Sequence, residues 1–202
     1  MAIEIKDATG TGNGMKVDGF GRALTFSTST AQEHHAVGLG VNFMFSSVAQ
    51  AITLTLPTPQ SGTMLWLRNN NAGALLVVSK ITIGSDRAGV AVKYIKNSVL
   101  GTPTDNLAGT AANLNFQSGI VAQSTLHIWD ETGAGIGGLS GGTDIGSYTV
   151  DVGKTTDDIE GGIDLASGNS LGIHMNNSTT GTAEVSVMIR AFFESVPTPN
   201  AN

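Results

Sequence analysis

The cleanest strand pattern in the chain is the stretch 183–194, AEVSVMIRAFFE. Apolar residues recur there at every second position, from Ala183 through Val187 to Phe193. Successive side chains of a β-strand point to opposite faces, so this period of two predicts a strand with one buried face. Pro197 and Pro199 follow it and predict the end of the ordered chain.

Similar patterns recur towards the N-terminus at intervals of about ten residues. The strongest hairpin signal combines TMLWLR (63–68) with ALLVVSKITI (74–83) across an Asn- and Gly-rich turn. An alternating run, AITLTL, precedes them at 51–56. About nine or ten such strands, with no helical window, predict an all-β chain folded as a jelly-roll-like β-sandwich.

The composition of the 202 residues agrees with an all-β fold and excludes several other classes. Charged residues make up only 13% of the chain, whereas a helical bundle needs charged outer faces. The net charge of −6 and the scattered Lys and Arg residues argue against nucleic-acid binding. The lack of cysteine excludes disulfides, thiolate nucleophiles and Cys-based zinc sites.

The chain divides into three segments by composition. Residues 1–30 are predicted to form an extended N-terminal arm, because they hold too little apolar surface for a core of their own. Residues 31–196 form the β-sandwich domain, in which the polar, Gly-rich stretch 101–119 is predicted to be a long loop. Residues 197–202 form a C-terminal tail. No stretch resembles a signal peptide or the ~20 apolar residues of a membrane span, so we expect a soluble protein made in the cytosol.

Four histidines are candidates for metal or catalytic chemistry. His34 and His35 are adjacent, so on a strand they point to opposite faces and cannot both ligate one metal ion. We expect both at the surface. His127 and His174 lie in predicted strands among apolar neighbours, where a hydrogen-bonded core histidine is the simpler interpretation.

Carboxylates are concentrated at Asp157, Asp158 and Glu160, with Asp151 and Asp164 nearby. Loop carboxylates can hold Ca²⁺, but the D-x-D-x-D-G spacing of a calcium loop is missing here. The same residues are equally typical of a solvated loop. Glycoside hydrolysis would require a sugar-binding cleft around paired carboxylates, and the chain has few aromatic residues to line one.

The glycine tract 133–142 matches two motifs by its letters. Residues 138–142, GLSGG, fit the nucleophile-elbow pattern G-x-S-x-G around Ser140, which requires a strand before the serine and a helix after it. Residues 133–138, GAGIGG, fit the dinucleotide-binding pattern G-x-G-x-x-G, which also requires a following helix. No helix pattern follows either motif. So much glycine favours a flexible loop or close backbone packing.

The two tryptophans, Trp66 and Trp129, lie in predicted strands with apolar neighbours. That setting favours a role in the core. A β-sandwich can also stack sugars on exposed aromatic rings, so a carbohydrate-binding module stays an alternative.

Several segments resemble virion structural proteins of tailed bacteriophages. The segment VDGFGRALT (17–25) is similar to their N-terminal segments, and the hairpin at 63–83 is similar to their paired strands. The stretch 101–119 resembles their Gly/Thr loops, and 169–194 resembles the closing strand pair of a viral jelly roll. The resemblance covers roughly half of the chain and contains no catalytic motif.

This resemblance implies a non-enzymatic virion structural protein, with capsid decoration, or cement, as the expected role. The implied partners are the major capsid protein and copies of the chain itself, as a homotrimer on the capsid surface. No nucleic acid, membrane, metal or cofactor is expected. The alternatives are a phage tail or receptor-binding component, a carbohydrate-binding module and, last, an enzyme that uses Ser140.

The arm is the expected assembly element. Extended arms add strands to neighbouring subunits through main-chain hydrogen bonds, which need no special side chains. The residues that we predict to make these contacts are Phe20, Arg22, Leu24 and Phe26.

Overall fold

A computed structural model describes residues 5–6, 14–15, 41–46, 54–96 and 99–195. This part of the chain is built of β-strands and has no helix that could cross a membrane, and the predicted all-β class is confirmed. The strands, in chain order, are β1 (Ile5–Lys6), β2 (Gly14–Met15), β3 (Asn42–Ser46), β4 (Leu54–Leu56), β5 (Gln60–Asn69), β6 (Ala74–Ser85), β7 (Val90–Lys96), β8 (Val99–Thr104), β9 (Asn106–Gly109), β10 (Ala112–Asn113), β11 (Ser124–Trp129), β12 (Gly137–Ser140), β13 (Thr143–Val150), β14 (Gly153–Leu165), β15 (Ser170–Asn177) and β16 (Ala183–Ser195).

Two six-stranded antiparallel sheets contain most of these strands. Sheet I has the order β10-β3-β16-β6-β14, and β4 pairs with β16 on the same edge as β3. Sheet II has the order β13-β7-β15-β5-β11-β9. The remaining strands form two small pairs, β1 with β2 and β8 with β12.

The two sheets share one hydrophobic core. Strand β16 contributes Val185, Val187 and Ile189 from sheet I, at the alternate positions that the sequence pattern predicts. Strand β5 contributes Leu65 and Leu67 from sheet II. Because each sheet buries one face against the other, the fold is a β-sandwich, as predicted.

Short connections join the two sheets at both lateral sides of the sandwich. On one side, β9 at the edge of sheet II continues through residues 110–111 into β10 at the edge of sheet I. On the other side, β13 at the edge of sheet II continues through residues 151–152 into β14 at the edge of sheet I. We call these the β9–β10 side and the β13–β14 side.

The prediction of one long loop at 101–119 is wrong. The stretch contains most of β8 and all of β9 and β10. Strand β9 pairs with β11, and a Cβ at Gly109 would lie 2.5 Å from Leu126 Cδ2. Glycine therefore permits close approach to a partner strand here. A high glycine content predicted a loop, because loops and closely packed strands are both rich in glycine.

Two further stretches differ from their predicted conformation. The glycine tract contains strand β12, which pairs with β8. Asp157 and Asp158, interpreted as part of a solvated loop, lie within β14 opposite Ile81 and Lys80 of β6. The main chain of β6 supplies the hydrogen bonds of this ladder, so the strand forms without a clear apolar alternation of its own.

The predicted boundaries between arm, domain and tail stay predictions. Most of the arm 1–30 and all of the tail 197–202 lie outside the described residues. Within the arm, the structure describes the antiparallel pair β1–β2, with Ile5 opposite Met15.

Candidate functional site

The residues predicted to make arm contacts are not among those that the structure describes, and neither are the two adjacent histidines. Their roles stay predictions. These residues are Phe20, Arg22, Leu24, Phe26, His34 and His35.

His127 is a half-buried, hydrogen-bonded residue of β11. Its Nδ1 lies 2.5 Å from Oδ1 of Asn106 on the neighbouring strand β9. Its ring is tilted against that of Trp66, with 5.8 Å between the ring centroids. Burial lowers the pKa of His127, which favours the neutral imidazole at neutral pH. His127 is therefore hydrogen-bonded, as predicted, but it is only half-buried and is not part of the core.

His174 lies on β15, and its Nε2 is 3.0 Å from Oγ of Ser61 on β5. Across the other ladder of β15, His174 pairs in register with Lys93. Burial lowers the pKa of His174, the positive charge of Lys93 lowers it further, and Asp144 offsets part of the shift. Lys93 Nζ lies 3.2 Å from Asp144 Oδ2, an exposed ion pair across β7 and β13.

The Ser61–His174 contact has one element of nucleophilic catalysis, an imidazole within hydrogen-bond distance of a hydroxyl. A working nucleophile also needs a group that orients the imidazole and donors that stabilise an oxyanion. The carboxylate of Asp144 is engaged by Lys93. We therefore interpret the contact as a hydrogen bond on the outer face of sheet II. Sequence reasoning missed it because the two residues are 113 positions apart.

Ser140 and the surrounding glycines form a strand rather than a nucleophile elbow. Ser140 is the last residue of β12, pairs with Val99 of β8, and is followed by β13. The helix that an elbow requires does not follow the serine.

The other glycine motif serves close backbone packing, one of the two predicted interpretations. Ile136 N donates to Thr63 O at 2.8 Å, which seats the segment 132–136 along the edge of β5. A Cβ at Gly62 would lie 1.8 Å from Ala134 O. Gly135 has a φ of +109°, a conformation that side chains rarely adopt.

The carboxylates near 157–160 are distributed along β14. Asp157, Asp158 and Glu160 all lie within this strand, which pairs with β6. In the part of the chain that the structure describes, no three His, Cys, Asp or Glu residues are grouped to hold a metal ion.

Both tryptophans are buried, as predicted. Trp66 is 2% exposed and Trp129 is fully buried. Trp129 Nε1 donates to the main-chain oxygen of Thr132. Neither ring offers a free face on which a sugar could stack.

The most exposed aromatic side chain of the described residues lies on the loop between β10 and β11. Phe116 is 94% exposed, and Val121 in the same loop is 77% exposed. The loop is nevertheless ordered by polar contacts. Asn113 Nδ2 donates to Ile120 O at 2.9 Å, and Asn115 N donates to Asn113 Oδ1 at 2.8 Å. Residues 113–121, which we call the Phe116 loop, therefore present apolar side chains to solvent on a hydrogen-bonded frame.

Exposed apolar residues also occur on the β13–β14 side. Val152, in the connection between the two strands, is 67% exposed, and Ile145 of β13 is also exposed. Single exposed apolar residues are ordinary, but groups of them mark interaction surfaces. Ile145 and Val152 lie at opposite ends of β13 and form no such group, whereas Phe116 and Val121 share one loop. Sequence reasoning missed these exposed residues, because exposure depends on how the loop and the edge strands are placed.

No protein-family model, curated protein or solved structure matches the chain.

Proposed function

We propose that this chain is a structural protein of a tailed-bacteriophage virion, with decoration of the capsid as its role. It binds the major capsid protein and copies of itself, as a homotrimer, on the outside of the head. It uses no nucleic acid, membrane, metal or cofactor for that role, and it performs no catalysis. The resemblance of its segments to virion proteins supports this assignment.

The observation that carries the proposal is the Phe116 loop. A loop that is ordered by its own hydrogen bonds and exposes Phe116 and Val121 is preorganised for a contact with another protein. Aromatic residues are enriched in protein interfaces, where they bury a large area with little loss of conformational entropy.

We also propose that the sandwich is a jelly roll, and the order of strand pairing supports this. The eight main strands are β4, β5, β6, β7, β13, β14, β15 and β16. The first pairs with the eighth, the second with the seventh, the third with the sixth and the fourth with the fifth. Such pairing is that of one long hairpin rolled into two sheets, as in viral jelly rolls. Strands β8–β12 are then an insertion at the tip of that hairpin.

The experiment that tests the function is cryo-electron microscopy of the phage particles that contain this chain. Density repeated over the head lattice is the expected result. Density confined to the tail would replace decoration by a tail or receptor-binding role. Absence of the chain from every particle would refute a virion function.

The role of the arm is tested by binding of the purified chain to heads that lack it. Deletion of residues 1–30, or Ala at Phe20, Arg22, Leu24 and Phe26 together, is expected to abolish binding. Deletion of the tail 197–202 is the matched control and is expected to leave binding unchanged. Equal binding by the arm-deleted and tail-deleted chains would show that the arm makes no assembly contact.

A further inference from the structure

We propose that a small hydrophobic cluster on the outer face of sheet I anchors the base of the arm and holds it beside the Phe116 loop. This inference rests on the proposed assembly role and adds to it which residues position the arm and the loop. The partner that they meet is the one proposed above, the major capsid protein.

The cluster lies on the face of sheet I that points away from the core of the sandwich. Val77 of β6 pairs in register with Phe192 of β16. The residues on either side of Val77, which are Leu76 and Val78, belong to the core between the two sheets. Because successive side chains of a strand point to opposite faces, Val77 and its cross-strand partner Phe192 point outward. Together with the partly buried residues that pack on them, they form what we call the outer cluster: Val41, Leu75, Val77 and Phe192.

The outer cluster is packed rather than open to solvent. Val77 is 7% exposed and Phe192 is 6% exposed, although the outward face of an antiparallel sheet commonly meets water. A bulge of β14 lies against one flank of the cluster, because residues 159–162 stand opposite the single residue Ser79 of β6. A Cβ at Gly162 would lie 2.6 Å from Val77 Cγ1, so glycine lets the bulge approach this side chain closely. The cluster is therefore a second small core, separate from the main one.

Val41 links the outer cluster to the arm. Its side chain packs against the cluster, and its main-chain oxygen accepts a hydrogen bond from Phe193 N at 2.9 Å. The residues that follow the arm, 31–40, lie outside the described part of the chain and join the sandwich at Val41. The next residue, Asn42, is fully buried and pairs in register with Phe192. The point at which the arm joins the sandwich is therefore fixed to sheet I by a side chain and by main-chain pairing.

The Phe116 loop starts at the same point. Leu114 N donates to Asn42 O at 2.9 Å, and Asn113 of β10 pairs in register with Phe43 of β3. The two elements that are proposed to contact the capsid thus share one attachment, residues 41–42. Elements that are held together reach a partner at a high effective concentration and lose less entropy on binding. Loss of the outer cluster should therefore weaken binding without removing any residue that touches the capsid.

Binding of the full chain to phage heads that lack it tests this inference with two charged variants of the outer face. Val41→Asp places a charge in the outer cluster and is expected to weaken binding by about tenfold or more, because the arm loses its fixed base. Met188→Asp is the matched control, because Met188 lies between the core residues Val187 and Ile189 of β16 and is already 36% exposed on the same face. It is expected to bind like the wild type. Val41→Ile, which keeps the apolar contact, is also expected to bind like the wild type.

Hydrogen exchange of the free chain, measured by NMR, tests the anchor without any particle. The amide of Phe193 is expected to exchange about tenfold faster or more in Val41→Asp than in the wild type, because its bond to Val41 O is lost. The amide of Ile189, which is on the same strand and pairs with both β3 and β6, is expected to keep its rate. A general loss of stability would raise both rates, so a change confined to Phe193 separates the anchor from the fold. Val41→Ser, which brings no charge, takes the place of Val41→Asp if that variant does not fold.

Two outcomes would overturn the inference. One is a Val41→Asp variant that binds heads as well as Met188→Asp does, and the other is an unchanged exchange rate of the Phe193 amide. Failure of the proposed function has a different signature. A chain that lacks residues 1–30 and still binds heads would refute the assembly role of the arm, whatever the exchange rates are. If deletion of the arm abolishes binding but Val41→Asp does not weaken it, only the anchor is refuted.

Discussion

Replacement of Gly62 by Ala tests whether the segment 132–136 is seated on β5 as described. A Cβ at this position would lie 1.8 Å from Ala134 O and 2.9 Å from Gly135 Cα. Both are main-chain atoms, so no side-chain rotation can relieve the contact. The φ of Gly62 is outside the left-handed region, so the expected loss of stability is steric.

The size of the effect follows from what the displaced segment gives up. Ile136 N would lose its bond to Thr63 O, and Gly133 O would lose its bond from Gln60 Nε2, each worth about 0.5–1.5 kcal/mol. Ile136 is buried, and exposing its side chain costs about 1.5–3 kcal/mol. The free energy of unfolding should therefore fall by about 2.5–6 kcal/mol.

Urea denaturation, followed by the fluorescence of the buried tryptophans, measures that change. Gly73→Ala is the matched control, because the nearest atom to a Cβ there is Asn71 Oδ1 at 3.7 Å, an ordinary contact. The control is expected to change the unfolding free energy by less than about 0.5 kcal/mol. Proteolysis within 132–136 should also be faster in Gly62→Ala. A Gly62→Ala variant as stable as the control would refute the described packing of this segment.

Three further predictions concern buried polar groups, pH and the core. Asn69→Ala should lower the unfolding free energy by about 2–4 kcal/mol, because the buried Asn69 Nδ2 donates to Leu165 O at 2.8 Å and that carbonyl would lose its donor. Asn69→Asp keeps the shape of the side chain but not the donor, so it should also lower the unfolding free energy. Urea denaturation measures both changes. The pKa values of His127 and His174 are lowered in the folded state, so the unfolded state binds more protons between those values and the ordinary 6.5. The free energy of unfolding should be highest above pH 6.5 and should fall as the pH drops from 6.5 towards the lowered pKa values. The double variant His127→Gln/His174→Gln should show a weaker dependence of the urea midpoint on pH. Trp129→Ala should lower the unfolding free energy by about 3–5 kcal/mol in urea denaturation, because a cavity replaces a fully buried ring.

Strands with one buried face were predictable from the sequence, because burial of one face places apolar residues at every second position. Strand β16 covers Ala183–Ser195 where the pattern predicts 183–194, and β6 covers Ala74–Ser85 where it predicts 74–83. The edge strands were not predictable in the same way. Strand β14 is polar and acidic over much of its length, and its ladder to β6 uses main-chain groups that every residue has.

The exposed surfaces were the least predictable part of the molecule. A phenylalanine in a polar stretch gives no sign of whether it packs or projects. The outcome at Phe116 depends on hydrogen bonds that residues such as Asn113 and Asn115 make to the loop. Likewise, His174 meets Ser61 only through the pairing of β15 with β5, which no local pattern indicates.

The shortage of charge and the excess of asparagine have one structural explanation in this fold. At turns and strand ends, where main-chain groups lack main-chain partners, asparagine side chains supply the missing hydrogen bonds. Asn177 is an example: its Nδ2 donates to Leu56 O at 2.7 Å, and its Oδ1 accepts from Thr179 N at 3.0 Å. Neutral side chains thus order the connections, while residues 143–165 hold six of the sixteen carboxylates of the chain.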